Sequence, residues 1–194
     1  MNIPSVLLAF AAATLIPGAQ VMAEGPGKAP APKPGGAKES KVSNHPEMIV
    51  ETNKGTIVIE LHTEDAPKTC AAIAALAKSG FYDGLDFHRY EASFGSGSLI
   101  QGGDPERKGK KDAATIVGEF KANGVDNKLS HTKGAVGLAR TNDPNSGSSQ
   151  WYICNGDATF LDKNYCAFGM VVKGQDVAEA LRAGDVMKKV TLKE

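Results

Sequence analysis

Short runs of β-branched and aliphatic residues, each closed by a polar or glycine-rich turn, dominate the chain after residue 47 and most constrain its fold. Residues 48–52 and Thr56–Leu61 are two such runs, and Asn53-Lys54-Gly55 between them is a hairpin signal. Further short strands are predicted at 86–90, 99–101, 135–139, 150–154, 167–172 and 188–193. So many short strands indicate a closed barrel or a sandwich.

Two segments have the pattern of helices. Pro67 suits a first helical turn, Ile73 and Leu76 follow at helical spacing, and Ser79-Gly80 is a stop signal, so a helix is predicted to run to residue 78. A second helix is predicted over 175–182 and is stopped by Gly184.

The first 46 residues differ in kind from the rest. Residues 3–16 carry no charge and are followed by small residues up to Ala23, which predicts a signal peptide over 1–23 with cleavage near Ala23 and export to the periplasm or the exterior. The apolar run is shorter than the about 20 residues of a membrane span. Because no Lys or Arg precedes it, an uncleaved anchor is the alternative.

Residues 24–46 are rich in Pro, Gly and Lys and contain few large apolar side chains to bury. Burial of apolar surface in such a segment cannot offset the conformational entropy lost on ordering it, so the segment is predicted to be a disordered tether. A ligand for a proline-recognising domain is the alternative to a plain spacer. The folded domain is therefore predicted to span 47–194.

The composition describes an ordinary globular protein of one domain. Among 194 residues, 22 are basic and 22 acidic, and no basic stripe indicates a nucleic-acid partner. Cys70, Cys154 and Cys166 are too few for a disulfide framework; they are expected to be buried thiols, with a Cys154–Cys166 bridge in an exported protein as the alternative. The histidines are scattered, so neither a metal nor another cofactor is expected.

Three polar side chains are embedded in apolar stretches at strand spacing: Arg89, Gln101 and Gln150. The chain has no Ser/His/Asp order, no cluster with metal-ligand spacing and no phosphate loop. A guanidinium beside amides and an apolar pocket suits a reaction that changes only a conformation. Rotation about a prolyl peptide bond is the leading candidate, because its barrier is about 18–20 kcal/mol.

The same stretches carry a family resemblance. Residues 87–94 and 99–105 resemble the F-H-R-x-x-x-x-F-x-x-Q-G-G-D signature of cyclophilin-type peptidyl-prolyl isomerases. Residues 137–153 are similar to the family's M-A-R-T-N-D-P-N-S-x-x-S-Q-F-F-I, and Phe160-Leu161-Asp162 and Phe168-Gly169 continue the match. The resemblance implies a mainly β fold, a closed eight-stranded antiparallel β-barrel capped by two α-helices.

The resemblance also implies roles for individual residues. Arg89 matches the catalytic Arg, and Gln101 matches the residue that orients it or bonds the substrate; a surface salt bridge and strand-edge hydrogen bonding are the alternatives. The predicted substrate-binding residues are Phe94, Leu99, Ala139, Arg140, Gln150, Tyr152, Phe160, Leu161 and Tyr165. Without the resemblance, the apolar members of this set are ordinary core residues. Trp151 alternates with Tyr152 and is expected to face the interior.

Three positions depart from the family pattern. Phe160 stands where many members have Trp and Tyr165 where many have His, so cyclosporin-type inhibitors are expected to bind weakly. Gly95-Ser96-Gly97-Ser98 is an insertion. Because Gly and Ser have poor strand propensity, this insert is expected to loop out as a mobile bulge whose deletion raises stability.

The sequence therefore predicts an exported, monomeric isomerase that acts on X-Pro bonds of unfolded or extended polypeptides. Two other hypotheses remain open. The groove could hold proline-containing segments with little turnover, as a binding module, or the domain could be a tethered structural element.

Overall fold

The computed structural model describes residues 45–194. The predicted signal peptide and the predicted tether up to residue 44 lie outside the described residues. Within the described range, Pro46 already belongs to the domain, because its carbonyl accepts a hydrogen bond of 2.9 Å from the Leu61 N–H. No helix in this range is long and apolar enough to cross a membrane.

Residues 45–194 form one eight-stranded antiparallel sheet and two α-helices. The sheet order is β3-β4-β6-β5-β7-β2-β1-β8. The elements are β1 Glu47–Thr52, β2 Thr56–Leu61, α1 Pro67–Lys78, β3 Phe87–Phe94, β4 Gly97–Gly102, β5 Ala135–Leu138, β6 Trp151–Cys154, β7 Ala167–Lys173, α2 Gln175–Ala180 and β8 Met187–Lys193, with 3-10 turns at Glu106–Lys108, Lys121–Asn123 and Thr159–Leu161.

The curled sheet closes on itself only in part. Its edge strands, β3 and β8, share no ladder; they meet at one isolated bridge between Asp86 and Val186. Four backbone hydrogen bonds surround this bridge: the Phe87 N–H donates to Asp185, the Gly184 N–H to Phe87 and the Gly84 N–H to Met187, each at 2.8 Å, and the Met187 N–H donates to Leu85 at 2.9 Å. The mainly β, eight-stranded antiparallel fold with two helices is confirmed, whereas closure of the barrel is limited to this short junction.

The predicted alternation of faces holds at the centre of the sheet. Trp151 is fully buried, with its ring edge-on to Phe87 at 5.8 Å and to Tyr82 at 6.3 Å between centroids. Aromatic pairs in this arrangement add to the energy of area burial. Trp151 therefore belongs to the interior, as predicted, and its neighbour Tyr152 projects from the opposite face.

Helix α1 has its first N–H groups satisfied by a residue far along the chain. The Glu119 carboxylate accepts hydrogen bonds from the backbone N–H of Lys68 at 3.0 Å and of Thr69 at 2.8 Å. The helix N-terminus is also the positive end of its dipole, which favours an anionic partner there. This buried contact connects the long 103–134 segment to α1.

Helix α2 is shorter than predicted and ends at Ala180. Leu181 leaves the helix in an extended conformation and is fully buried. The Arg182 N–H then donates to the Asp185 side chain at 2.7 Å, which turns the chain towards β8. Burial of the leucine therefore ends the helix before Gly184.

The insert itself does not loop out as predicted, and the register shift in the β3–β4 pairing falls before it, between Glu91 and Phe94. Gly95 and Ser96 form the turn of the β3–β4 hairpin, and β4 starts at Gly97. Ser96 exchanges hydrogen bonds with Asp157: its N–H donates to the carbonyl at 2.9 Å and its hydroxyl accepts from the N–H at 2.7 Å. The Ser98 carbonyl accepts from the Asn155 N–H at 2.8 Å. Residues 155–157 thus supply hydrogen-bond partners for the insert, and strand propensity alone could not predict these contacts.

The three cysteines are buried free thiols, and none forms a disulfide. Burial raises the pKa of each thiol, Cys70, Cys154 and Cys166, to about 12. The bridge considered for Cys154 and Cys166 is therefore absent, and the thiols pack as small apolar groups.

Candidate active site

One row of directly paired residues crosses four strands on the outer face of the sheet. Arg89 on β3 pairs with Gln101 on β4, Gln101 with Tyr152 on β6, and Tyr152 with Gly137 on β5. Directly opposite residues of antiparallel strands project from the same face. The strand register therefore places the predicted catalytic Arg and its amide neighbour in line with an aromatic ring.

Arg89 has a close acidic partner that the sequence analysis did not identify. Its Nε and Nη2 atoms both lie 3.0 Å from the same carboxylate oxygen of Glu91. The Arg89 side chain is one quarter exposed, so solvent and a peptide can still reach it. Because residues two apart share a strand face, the spacing of Arg89 and Glu91 was a usable signal.

The two site amides bond each other. The Gln101 side-chain N–H donates to the Gln150 carbonyl oxygen at 3.0 Å, and Gln101 is buried. Among the described residues, Gln101 makes no hydrogen bond to Arg89. This pairing leaves the Gln101 carbonyl oxygen and the Gln150 N–H groups available for hydrogen bonds to a substrate. Contact of either amide with substrate stays a prediction.

The predicted pocket residues converge on one cluster beside this row. The cluster is apolar and separate from the main core. Its buried members are Phe94, Leu99, Ala139, Tyr152, Cys154, Ala158 and Leu161, with Tyr165 partly buried against them. Six of the predicted substrate-binding residues therefore lie together, although whether a proline ring binds there stays a prediction.

The two remaining predicted residues have different environments. Phe160 is 55% exposed at the rim of the cluster, with its ring 5.4 Å from that of Phe94. Arg140 donates to the Asn164 carbonyl at 2.7 and 3.1 Å and lies over the Tyr165 ring at 4.4 Å. Arg140 thus braces the protein's own loops, and a direct contact with substrate stays a prediction.

A chain of hydrogen bonds holds the ring of Tyr152, which forms the floor of the cluster. His131 Nε2 lies 3.0 Å from the Tyr152 hydroxyl, and His131 Nδ1 lies 2.8 Å from Asp162. Burial lowers the pKa of His131 and outweighs the neighbouring carboxylate, so the ring is neutral at neutral pH. Nδ1–H then donates to Asp162, and Nε2 accepts from the Tyr152 hydroxyl.

Gly137 provides the space for that hydroxyl. A Cβ at position 137 would lie 2.4 Å from the Tyr152 hydroxyl oxygen, far inside contact distance. The pair Gly137 and Tyr152 therefore forms one packing unit. Tyr152 was predicted to bind substrate, but Gly137, His131 and Asp162 were assigned no role from the sequence, because nothing in the spacing connects segments so far apart.

The fold agrees with comparisons with known proteins. A model of the cyclophilin type peptidyl-prolyl cis-trans isomerase/CLD family matches residues 47–194. The chain is 36% identical over 140 residues to peptidyl-prolyl cis-trans isomerase-like 1 of Rhizopus delemar, covering 72% of this chain and 82% of that one. It is 32% identical over 155 residues to a Helicobacter pylori peptidyl-prolyl cis-trans isomerase, covering 79% and 90%.

Solved cyclophilin structures also match the fold of this chain. A cyclophilin from Hirschia baltica matches with a TM-score of 0.64 at 28% identity, covering 75% of this chain and 73% of that one. A Cryptosporidium parvum cyclophilin crystallised in the presence of the dipeptide Ala-Pro matches in fold, with a TM-score of 0.64 at 24% identity and coverage of 76% and 99%. The chain belongs to the cyclophilin-type peptidyl-prolyl cis-trans isomerases.

Replacing Glu91 by Gln should lower kcat/KM about two- to fivefold. An exposed ion pair contributes up to about 1 kcal/mol, and the carboxylate holds both Nε and Nη2 in one orientation. A protease-coupled assay on an X-Pro peptide measures the effect, with Glu51→Gln on β1 as a control. A rise in kcat/KM would show instead that Glu91 withholds the guanidinium from substrate.

Proposed function

We propose that this isomerase accelerates rotation of X-Pro bonds in extended polypeptides by donating a hydrogen bond from Arg89 to the prolyl nitrogen of the twisted amide. The observation that carries the proposal is the row Arg89–Gln101–Tyr152, in which the guanidinium and the floor of the apolar cluster lie on the same face. A proline ring in the cluster would bring its nitrogen towards Arg89.

The physical argument is differential binding. In the planar amide the nitrogen lone pair is delocalised, whereas in the twisted state it is free to accept a hydrogen bond. A donor at that point stabilises the twisted state more than the ground state, which accelerates the reaction. Arg suits the role because it stays charged and its N–H groups are directional.

The substrate is proposed to be a proline-containing segment without stable structure. The cluster offers aromatic and aliphatic contacts for one ring, and the exposed Phe160 leaves its rim open. The crystallisation of the Cryptosporidium cyclophilin in the presence of the dipeptide Ala-Pro supports the choice of ligand class. Comparing isomerisation by the wild-type protein and by Arg89→Ala tests the role; equal turnover would reject it.

A binding module is the second candidate. The ion pair with Glu91 engages two of the guanidinium nitrogens that the mechanism would use. Binding of an X-Pro peptide without acceleration of its isomerisation would favour this alternative.

Export remains part of the proposal, with clients that fold outside the cytoplasm. The protein isolated from its native host should begin at Glu24 or within a few residues of it, because the uncharged apolar stretch ends in small residues that signal peptidase accepts. Mass spectrometry of the intact protein measures this. An intact Met1 in a membrane fraction would indicate the uncleaved anchor, and an intact Met1 in a soluble cytoplasmic fraction would contradict export.

The rim residue Phe160 should limit the affinity for cyclosporin-type inhibitors. A Phe160→Trp variant should bind such an inhibitor severalfold more tightly, since indole adds contact area and an N–H donor at a position that is 55% exposed. Calorimetric titration measures the change, with Phe160→Leu as the control that should not gain affinity. An unchanged Kd for the Trp variant would place residue 160 outside the ligand groove.

A further inference from the structure

Two histidines that are distant in sequence lie side by side at the end of the β1–β2 hairpin. The register pairs Glu47 with Glu60, so continuing the two strands by two residues sets His45 opposite His62. Their rings are stacked, with centroids 5.3 Å apart and planes 8° from parallel. Backbone pairing therefore brings together two imidazoles that the sequence analysis treated as scattered.

Two carboxylates face these imidazoles from the turn that follows β2. His62 Nδ1 lies 3.6 Å from a Glu64 carboxylate oxygen and 3.6 Å from Asp65 Oδ2. The other Glu64 oxygen lies 3.3 Å from His45 Nδ1. His62, Glu64 and Asp65 can each offer one ligand atom within 4.8 Å of the others.

These separations fit a shared cation better than direct bonds between the side chains. At 3.6 Å the contacts of His62 are too long for hydrogen bonds. A tetrahedral ion with bonds of 2.0–2.1 Å holds neighbouring ligand atoms about 3.3–3.4 Å apart. The two separations of His62 Nδ1 from Glu64 and Asp65, each 3.6 Å, exceed this spacing by a few tenths of an ångström, and the three ligand atoms all lie within 4.8 Å of one another.

The surroundings of His62 also match a metal-binding histidine. Its second ring nitrogen, Nε2, lies 3.6 Å from a Glu60 carboxylate oxygen, beyond hydrogen-bond distance but on the side where a ligating imidazole usually has a carboxylate partner. The backbone holds the group in place: the His62 N–H donates to Phe168 at 2.9 Å. Asp65 uses its other oxygen, Oδ1, to accept from the Lys128 N–H at 3.1 Å, which leaves Oδ2 towards His62.

We propose that His62, Glu64 and Asp65, with water completing the coordination, form a binding site for a divalent transition-metal ion, with Zn²⁺ the best match. Imidazole and carboxylate ligands together favour Zn²⁺ over Ca²⁺ and Mg²⁺, which take oxygen ligands. The ion would hold the turn between β2 and α1, beside which His45 stacks on His62. The site is independent of the isomerase function.

Calorimetric titration of the untagged full-length protein with Zn²⁺ tests the proposal, because a polyhistidine tag would add competing ligands. We expect one saturable equivalent in the wild type. His62→Gln and Glu64→Gln should each weaken binding about tenfold or more. Glu51→Gln removes an exposed acid on β1 and should bind as the wild type does. Since Glu64 is half exposed, its variant should fold even if that of His62 does not.

X-ray absorption of the zinc-loaded protein identifies the ligands. We expect nitrogen and oxygen neighbours at about 2.0–2.2 Å and no sulfur neighbour at about 2.3 Å. Sulfur in the coordination shell would assign the ion to the cysteines and overturn the proposal. It would equally be overturned by no saturable binding, which would leave these groups as a cluster of side chains without an ion, or by equal affinity in the folded Glu64→Gln variant.

Discussion

Replacement of Arg89 by Ala should lower kcat/KM for an X-Pro peptide at least about tenfold while leaving the fold intact. Loss of a single transition-state donor commonly costs about 2.7–4 kcal/mol, and a tenfold loss corresponds to only 1.36 kcal/mol. The side chain is one quarter exposed and, within residues 45–194, pairs with the exposed carboxylate of Glu91, so its removal opens no core cavity. A protease-coupled assay and a denaturant titration measure the two effects.

Arg107→Ala provides the matched control. Arg107 is also a surface guanidinium paired with a carboxylate, that of Asp86 at 3.3 Å, but it lies outside the row of site residues. Its replacement should leave kcat/KM unchanged. Arg89→Lys keeps the charge but loses the rigid fork, so it should also lose most of the activity. A folded Arg89→Ala variant with unchanged kcat/KM would remove Arg89 from the mechanism.

Replacement of Gly95 by Ala should destabilise the domain by about 2 kcal/mol or more. Gly95 has a φ of +63°, and a Cβ there would lie 2.0 Å from the Asp157 carbonyl oxygen. Relief of this clash must separate the hairpin from residues 155–157 and break the hydrogen bonds of Ser96 with Asp157. The free energy of unfolding from urea titration measures the loss.

Gly109→Ala separates backbone strain from the clash. Gly109 has nearly the same φ, +67°, but nothing lies within 4 Å of the position of its Cβ. The left-handed conformation alone costs a non-glycine residue about 1–2 kcal/mol. Equal losses for Gly95→Ala and Gly109→Ala would show that the hairpin is not packed against residues 155–157.

Local patterns predicted the strands from their β-branched and apolar runs between turns, and in β1 and β2 buried residues also alternate with more exposed ones. The β1–β2 hairpin follows directly from its β-branched runs and Gly55, and the opposite orientations of Trp151 and Tyr152 follow from their adjacency. The end of α2 and the course of the insert could not be predicted in this way. They depend on burial of Leu181 and on hydrogen bonds from residues 155–157, both of which are tertiary contacts.

The candidate site likewise has some residues that the sequence could predict and others that depend on tertiary contacts. The family resemblance identified Arg89, Gln101 and the apolar cluster, because these occupy motif positions. Of the missed partners, only Glu91 lay within reach of a local rule, two residues along the strand from Arg89. The contacts of Tyr152 with His131, and of His131 with Asp162, join three separate segments of the chain, and only the folded structure brings them together.

The central claim is that this groove accelerates prolyl rotation rather than only binding proline. Exchange NMR on a short peptide with one Ala-Pro bond measures the cis–trans interconversion directly, with catalytic amounts of the wild-type protein. Uncatalysed exchange takes tens of seconds or longer at 25 °C. The account predicts exchange fast enough to give cross-peaks between the two isomers, and their loss with Arg89→Ala. Peptide resonances that shift on binding while exchange stays at the uncatalysed rate would contradict it.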